Sequence, residues 1–291
     1  MKDFEDKVAV ITGGASGIGW GLAERCVKEG MKVVIADIEE KALKQAEKTL
    51  KAGGAKVLAM RTDVSKLADI EALAQKTLDA FGGVHLLFNN AGVQPATSLT
   101  RPVWENSIAD WDWVTGVNLR GVINSVKVFV PVMLKQNTEC HIVNTSSMGG
   151  LIAEPQLVIY AVTKAGVVAL SEGLYLQLKQ KNSPVGVSVL CPAFVSSKIF
   201  DAERNRPADY KNPPEPPKQP KAEPPREQAV LVSQFNKVSP TISPEVSADI
   251  VFKAIREGTF YIFTDPLVQE LFRQRAENIL NGRNPERPRV A

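Results

Sequence analysis

Apolar positions along the chain follow two alternating patterns. Runs of strand length occur at Lys7–Thr12, Lys32–Ala36, Lys56–Met60, Val84–Phe88, His141–Thr145 and Val185–Leu190, rich in Val, Ile and Leu. Between them lie stretches with helical spacing: Leu22–Glu29, Glu39–Lys51, Leu67–Phe81, a long one around Trp113–Lys135, and Pro155–Leu170. Strands that alternate with helices predict an α/β fold, a doubly wound parallel sheet in three αβα layers with right-handed crossovers. The 291 residues, 44% of them apolar, fit one domain over 1–291.

The first strand runs into Gly13-Gly-Ala-Ser-Gly-Ile-Gly19 and then a helix. Glycines let the backbone turn sharply and approach a phosphate, and a helix N-terminus presents oriented N–H groups to a pyrophosphate. Gly13, Ser16, Gly17, Ile18 and Gly19 are therefore cofactor candidates. The second strand ends at Asp37, eighteen residues after Gly19, where a carboxylate accepts hydrogen bonds from both hydroxyls of an adenosine ribose and repels a 2′-phosphate. Ser16 and Ile38, its expected neighbours in the fold, are uncharged, and no Arg or Lys stands at those positions to receive that phosphate. NAD(H) is expected over NADP(H). Asp37 as a plain cap for the Glu39–Lys51 helix is the competing reading.

Tyr160 and Lys164 lie four apart, on one face of a helix. A phenol is a poor base at neutral pH, but a fixed cation beside it favours the phenolate and brings it into acid/base range.

Together these residues resemble the short-chain dehydrogenase/reductase family, in the subgroup marked by TGxxxGxG and a later YxxxK. The likeness runs from about Lys7 to about Ile262 and implies a Rossmann-like fold. It aligns Thr12, Gly13, Gly17 and Gly19 with the cofactor turn, Asp63 and Val64 with the pair beside the adenine, and Asn89-Asn90-Ala91-Gly92 with the NNAG element. It assigns catalysis to Asn118, Ser147, Tyr160 and Lys164: Asn118 holds a relay water, Ser147 orients the substrate oxygen, Tyr160 is the general acid/base, and Lys164 tunes it. Ser146 competes with Ser147, and spacing favours Ser147. Two departures concern the nicotinamide wall, where Pro192-Ala193 replaces Pro-Gly and Ser197 replaces Thr; Val195 completes that wall. The implied activity is interconversion of a secondary alcohol and its ketone. A catalytically silent dinucleotide-binding sensor or scaffold, or action on a sugar or acyl-thioester, are the alternatives.

The resemblance places Val93, Gln94, Met148, Gly149, Leu157, Phe194, Ile199 and Phe200 around the substrate. Most are apolar and no Arg or Lys stands ready for an anionic group, so a neutral, bulky, hydrophobic or aromatic alcohol is expected. Gly149-Gly150 reads as a turn that brings backbone close to substrate. Trp104, Trp111 and Trp113 are expected to pack the long helix. His85 and His141 stand apart without ligand partners, so no metal is expected.

Eight of the 19 prolines lie between Pro207 and Pro225, which excludes an ordinary helix or central strand there. By resemblance this insert, 207–225, belongs to a substrate loop or lid over 198–240. It reads as a stiff lid or a solvated decoration. The polar tail 282–291 reads as frayed, or as crossing to a neighbouring subunit.

A net charge of +3 without a dense basic block argues against nucleic acid. Cys26, Cys140 and Cys191 stand singly, as buried thiols of a reducing compartment. No apolar run in the sequence approaches the ~20 residues that span a bilayer. A cytoplasmic protein without a membrane partner is expected, with Asn144-Thr-Ser146 in a strand and not a glycosylation site. The resemblance implies a homodimer or homotetramer that pairs the Asn118 and Tyr160 helices.

Overall fold

A computed structural model describes residues 1–95, 101–152, 154–212 and 239–287. Seven parallel strands form one sheet in the order β3-β2-β1-β4-β5-β6-β7. They are β1 (Val8–Thr12), β2 (Lys32–Asp37), β3 (Val57–Arg61), β4 (Leu86–Asn89), β5 (Cys140–Thr145), β6 (Val185–Cys191) and β7 (Tyr261–Phe263). The order reverses between β1 and β4, which opens a crevice at the strands' carboxyl ends.

The period-2 geometry of a strand divides β1 between two cores. Ala9 and Ile11 pack beneath α1 (Gly17–Lys28), α2 (Glu40–Ala52) and a later helix, Pro244–Glu257. Val8 and Val10 face α3 (Leu67–Phe81), α5 (Gly121–Gln136) and α6 (Val158–Gln180). Helix α4 (Ile108–Thr115) runs into α5 through a π turn at Gly116–Arg120. Pro244–Glu257 is α7 and Pro266–Leu280 is α8.

Prediction and structure agree on α3 and differ elsewhere by a residue or two at most ends. The larger differences are at helix ends: α1 begins at Gly17, five residues before Leu22, α6 runs to Gln180, ten beyond Leu170, and Pro155, Gln156 and Leu157 precede α6, whose N-cap is Leu157. The residue before a helix needs non-helical backbone, and Leu157 supplies it at φ −125°, ψ 31°. The tryptophans separate. Trp113 is buried and Trp111 packs beside it, whereas Trp104 is 81% exposed in a short 3₁₀ turn, Val103–Glu105, outside the long helix.

Two helical stretches, Ile108–Gln136 and Val158–Gln180, are long and apolar enough by composition to cross a membrane, contrary to the sequence expectation. Both lie against the protein: α6 buries Ile159, Val167, Leu174 and Leu178. His85 Nδ1 accepts the Val8 N–H at 3.2 Å, and buried His141 bonds Ser188 through Nε2 at 2.8 Å. Among the described residues no cluster of His, Cys, Asp and Glu could hold a metal. All three cysteines are buried and free.

From Pro213 onward, the Pro-rich insert falls outside the described residues. Its near end is anchored. Pro207 precedes a 3₁₀ turn at Ala208–Tyr210, and the buried Arg206 guanidinium pairs with buried Asp110 while lying 4.5 Å from the Trp113 ring centre. Asn212 Nδ2 donates to the same carboxylate at 3.0 Å. Across the loop's neck, Val195 and Ile242 form a parallel bridge.

Candidate active site

The glycine turn holds its shape through contacts only glycine permits. Gly13 has φ +64°, and a Cβ there would lie 2.9 Å from the Ala91 Cα. A Cβ on Gly19 would lie 2.0 Å from the Gly13 carbonyl oxygen, so Gly19 serves packing of α1 beneath the turn. Ser16, the N-cap of α1, makes no side-chain capping bond, and the first turn carries no acidic residue. An uncapped helix end facing a cleft suits an anion.

Asp37 Oδ2 accepts the Ala15 N–H at 3.1 Å and Oδ1 that of Glu39 at 3.0 Å, tying the turn to the end of β2. Burial pushes its carboxyl up, against the lowering effect of those bonds. Glu39, not Asp37, is the N-cap of α2. The sequence expectation of no nearby cation needs correction: Arg204 reaches across the cleft to Glu39, Nε to Oε2 at 2.9 Å. Its Nη1 also donates to the Lys198 and Asp201 carbonyls, so Nε and Nη1 are engaged.

Asn90 of the NNAG segment fastens the turn, Nδ2 donating to the Thr12 carbonyl at 3.1 Å. Thr12 Oγ1 accepts the Asn90 and Ala91 N–H groups. Asn89 donates to Asn144 at 2.8 Å, and Asn144 to Ser171 on α6 at 2.9 Å, a polar rung through the sheet. Asp63 accepts from Ser65 N and Oγ at the rim.

Ser147, Tyr160 and Lys164 meet past the end of β5. Ser146 is committed elsewhere: its hydroxyl donates to the Lys164 carbonyl at 2.8 Å. The Ser147 hydroxyl is free to bond the Tyr160 phenol while it accepts the Gly149 N–H at 3.1 Å. Gly150 lies against the Lys164 backbone, where a Cβ would meet it at 2.7 Å, so this glycine lets α6 approach. Lys164 Nζ donates to the Thr145 carbonyl at 2.8 Å and lies 5.5 Å from the Tyr160 ring centre.

Electrostatics here differ from the sequence expectation. Burial pushes the Tyr160 phenol up to about 12, with the Ser147 bond opposing it, and pushes Lys164 down to about 8. Desolvation of the charged form sets the direction for each group, and the lysine does not bring the phenol down. Tyr160 is held protonated.

One cleft of about 380 Å³ is lined by the predicted site residues except Gly19 and Asn118. Asn118 is fully buried: its Oδ1 accepts the Val93 N–H at 2.8 Å, and its Nδ2 donates to the Val93 carbonyl at 2.9 Å and to Thr163 Oγ1 at 3.2 Å. It stands in the π turn of Gly116–Arg120, where an extra residue per turn turns a side chain inward.

Trp113, Ile152, Glu154, Lys198, Arg204 and Arg287 line the cleft without having been predicted as site residues. Only Trp113 had a sequence signal, and it pointed to packing. The expectation that no cation faces the substrate is corrected by Lys198, Arg204 and Arg287. In the described part of the tail, up to residue 287, Arg287 Nη2 lies 3.2 Å from Glu154 Oε1.

An uncapped glycine turn, a carboxylate at the end of β2 and a Ser-Tyr-Lys group in one cleft fit a nucleotide-cofactor oxidoreductase. The chain belongs to the short chain dehydrogenase family, whose model matches residues 7–208. It is 35% identical over 288 residues to a CLA biosynthesis dehydrogenase/reductase of Lactiplantibacillus plantarum, covering 98% of this chain and 97% of that one. It is 33% identical to a C alpha-dehydrogenase of Sphingobium, covering 98% and 89%. A short-chain dehydrogenase/reductase from Burkholderia phymatum, solved in complex with NAD, superposes with TM-score 0.88 at 45% identity over the whole of both chains.

Proposed function

We propose that this protein is an NAD(H)-dependent dehydrogenase that interconverts a secondary alcohol with a bulky hydrophobic or aromatic body and its ketone. The observation that carries the reading is the opening of Ser147, Tyr160 and Lys164 onto the same cleft as the uncapped α1 terminus and Asp37.

The α1 turn and Asp37 hold the dinucleotide, with Asp63 and Val64 at the adenine and Pro192, Val195 and Ser197 at the nicotinamide. The Asp37 carboxylate disfavours a 2′-phosphate, and Arg204 is neutralised by Glu39, so NAD is preferred to NADP. NAD, when bound, supplies the hydride acceptor. Tyr160 exchanges the proton at the substrate oxygen, and Ser147 orients that oxygen and stabilises its developing charge. A phenol held near 12 keeps its proton at neutral pH, the form that ketone reduction uses. Oxidation needs the deprotonated form and gains with pH. Lys164, near 8, keeps its proton at neutral pH and supplies positive charge beside the phenol. Asn118 acts as a positioning residue by fixing Val93 and Thr163. Apolar Val93, Trp113, Ile152, Leu157 and Phe194 suit a bulky hydrophobic body.

The experiment is NADH formation from NAD, and NADPH formation from NADP, across aromatic, alicyclic and long-chain secondary alcohols, with Tyr160→Phe as control. Turnover with NAD that the variant lacks, while it still binds NADH, supports the reading. Tight NADH binding with no turnover on any alcohol overturns it in favour of a binding module or another substrate class.

A further inference from the structure

Outside the proton-handling group, two described side chains that line the cleft carry a buried donor without a partner, Gln94 at Nε2 and Arg287 at Nε, and of these only Arg287 is charged. Arg287, in the segment after α8, forms part of the cleft wall with Glu154 and Gln156, just before the helix that carries Tyr160. Its guanidinium makes one contact to Glu154, Nη2 to Oε1 at 3.2 Å, and that same oxygen accepts the Gln156 N–H. The Nε is buried with no hydrogen-bond partner. Among the described residues Arg287 is thus held by a single bond, to Glu154, its side chain 34% exposed and its enclosed Nε unmet. A planar guanidinium offers five N–H donors and matches a carboxylate bidentately.

Position sets what arrives there. Glu154 precedes Tyr160 by six residues, a backbone span of at most about 20 Å. Apolar Ile152 and Leu157, on either side of Glu154 in sequence, line the same cleft. We infer that Arg287 is a specificity-determining residue that receives a carboxylate at the far end of the substrate, whose secondary alcohol lies at Tyr160 and whose apolar body lies between. This rests on the alcohol dehydrogenase reading and sharpens it to hydrophobic hydroxy acids and oxo acids. Glu154 anchors the guanidinium when the cleft lacks substrate and opposes the incoming anion, so it sets how strongly acids are favoured.

The test pairs two secondary alcohols of one apolar skeleton, one ending in a carboxylate and one in a primary amide, assayed with NAD. Wild type is expected to favour the acid by at least about tenfold in kcat/KM, carried by KM. Arg287→Gln brings the acid-to-amide ratio to within about twofold, and Glu154→Gln widens it. Equal use of acid and amide by wild type, or an Arg287→Gln ratio that matches wild type, overturns the inference. Binding separates this failure from failure of the alcohol reading. An alkyl carboxylate should bind the enzyme–NADH complex more tightly than its amide, and lose that advantage in Arg287→Gln, whether or not either alcohol turns over.

Discussion

Removing the buried carboxylate of Asp110 should loosen the substrate side of the cleft and leave the nucleotide side intact. Asp110 is fully buried, and its partner Arg206 has a side chain only 5% exposed. The pair joins the stem of the substrate loop to α4. Asp110 also accepts from Ser107 N and Asn212 Nδ2 and closes a capping box. Asp110→Ala strands a buried guanidinium, which costs about 3–5 kcal/mol when one partner of a buried pair is lost. Glu203, 3.4 Å from Arg206 Nε, recovers part of this, which places the expected loss at about 3–4 kcal/mol. An unfolding entropy of about 2.1 cal/mol/K per residue converts this to a Tm lowered by about 5–7 °C for a chain of this size. Thermal unfolding measures it, alongside NADH affinity and the KM for the alcohol. NADH affinity should stay within about twofold while KM rises. Replacing both partners, Asp110→Leu with Arg206→Met, should restore much of the loss, because no buried charge is then left alone. A Tm within about 2 °C of wild type in Asp110→Ala, or a double variant less stable than the single one, would refute the reasoning. The acid side has a definite sign. Burial raises the Asp110 carboxyl, but bonds from Arg206 and Asn212 win and hold it below its ordinary 3.8. Its stabilising contribution is complete above that value and is lost as pH falls through the lower folded one.

The remaining predictions concern the cleft and the core. Gly19→Ala forces a Cβ onto the Gly13 carbonyl, so NADH affinity measured by fluorescence should fall by at least about tenfold; unchanged affinity refutes the packing role. In Ser147→Ala the phenol loses the hydroxyl that lowers its pKa, so the ascending limb of kcat/KM for alcohol oxidation should move to higher pH, and a limb that stays put counts against the contact. Burial pushes the Cys26, Cys140 and Cys191 thiols up, Cys191 to about 12; a thiol reagent at neutral pH should modify none of them until denaturant is added.

The sheet, its helices and the cofactor turn are legible in the sequence because each is a local signal. Apolar runs of strand length, a glycine cluster before a helix and the four-residue spacing of Tyr160 and Lys164 need no partner to be recognised. What escaped depends on pairs distant along the chain. Arg206 finds Asp110 from 96 positions away, and Arg287 meets Glu154 across 133. Both arginines read as solvated charge in a hydropathy pattern. Trp104 shows the converse: an aromatic next to a helical stretch reads as packing, while Pro102 and the 3₁₀ turn after it set the ring outside the core. The protonation state of Tyr160 also lay beyond the sequence, because the effect of Lys164 is opposed by burial, which only the assembled fold defines.

The Asn118 amide grips Val93 at both its N–H and its carbonyl. A neighbouring strand would saturate a residue in the same way, so one side chain stands in for a strand at the point where β4 has ended. A true strand would have filled the space beside Val93 with backbone and closed the crevice. With an amide as surrogate, both backbone groups of Val93 are satisfied while Val93 still lines the cleft. The enzyme's room for chemistry is, in this sense, the width of the strand that Asn118 replaces.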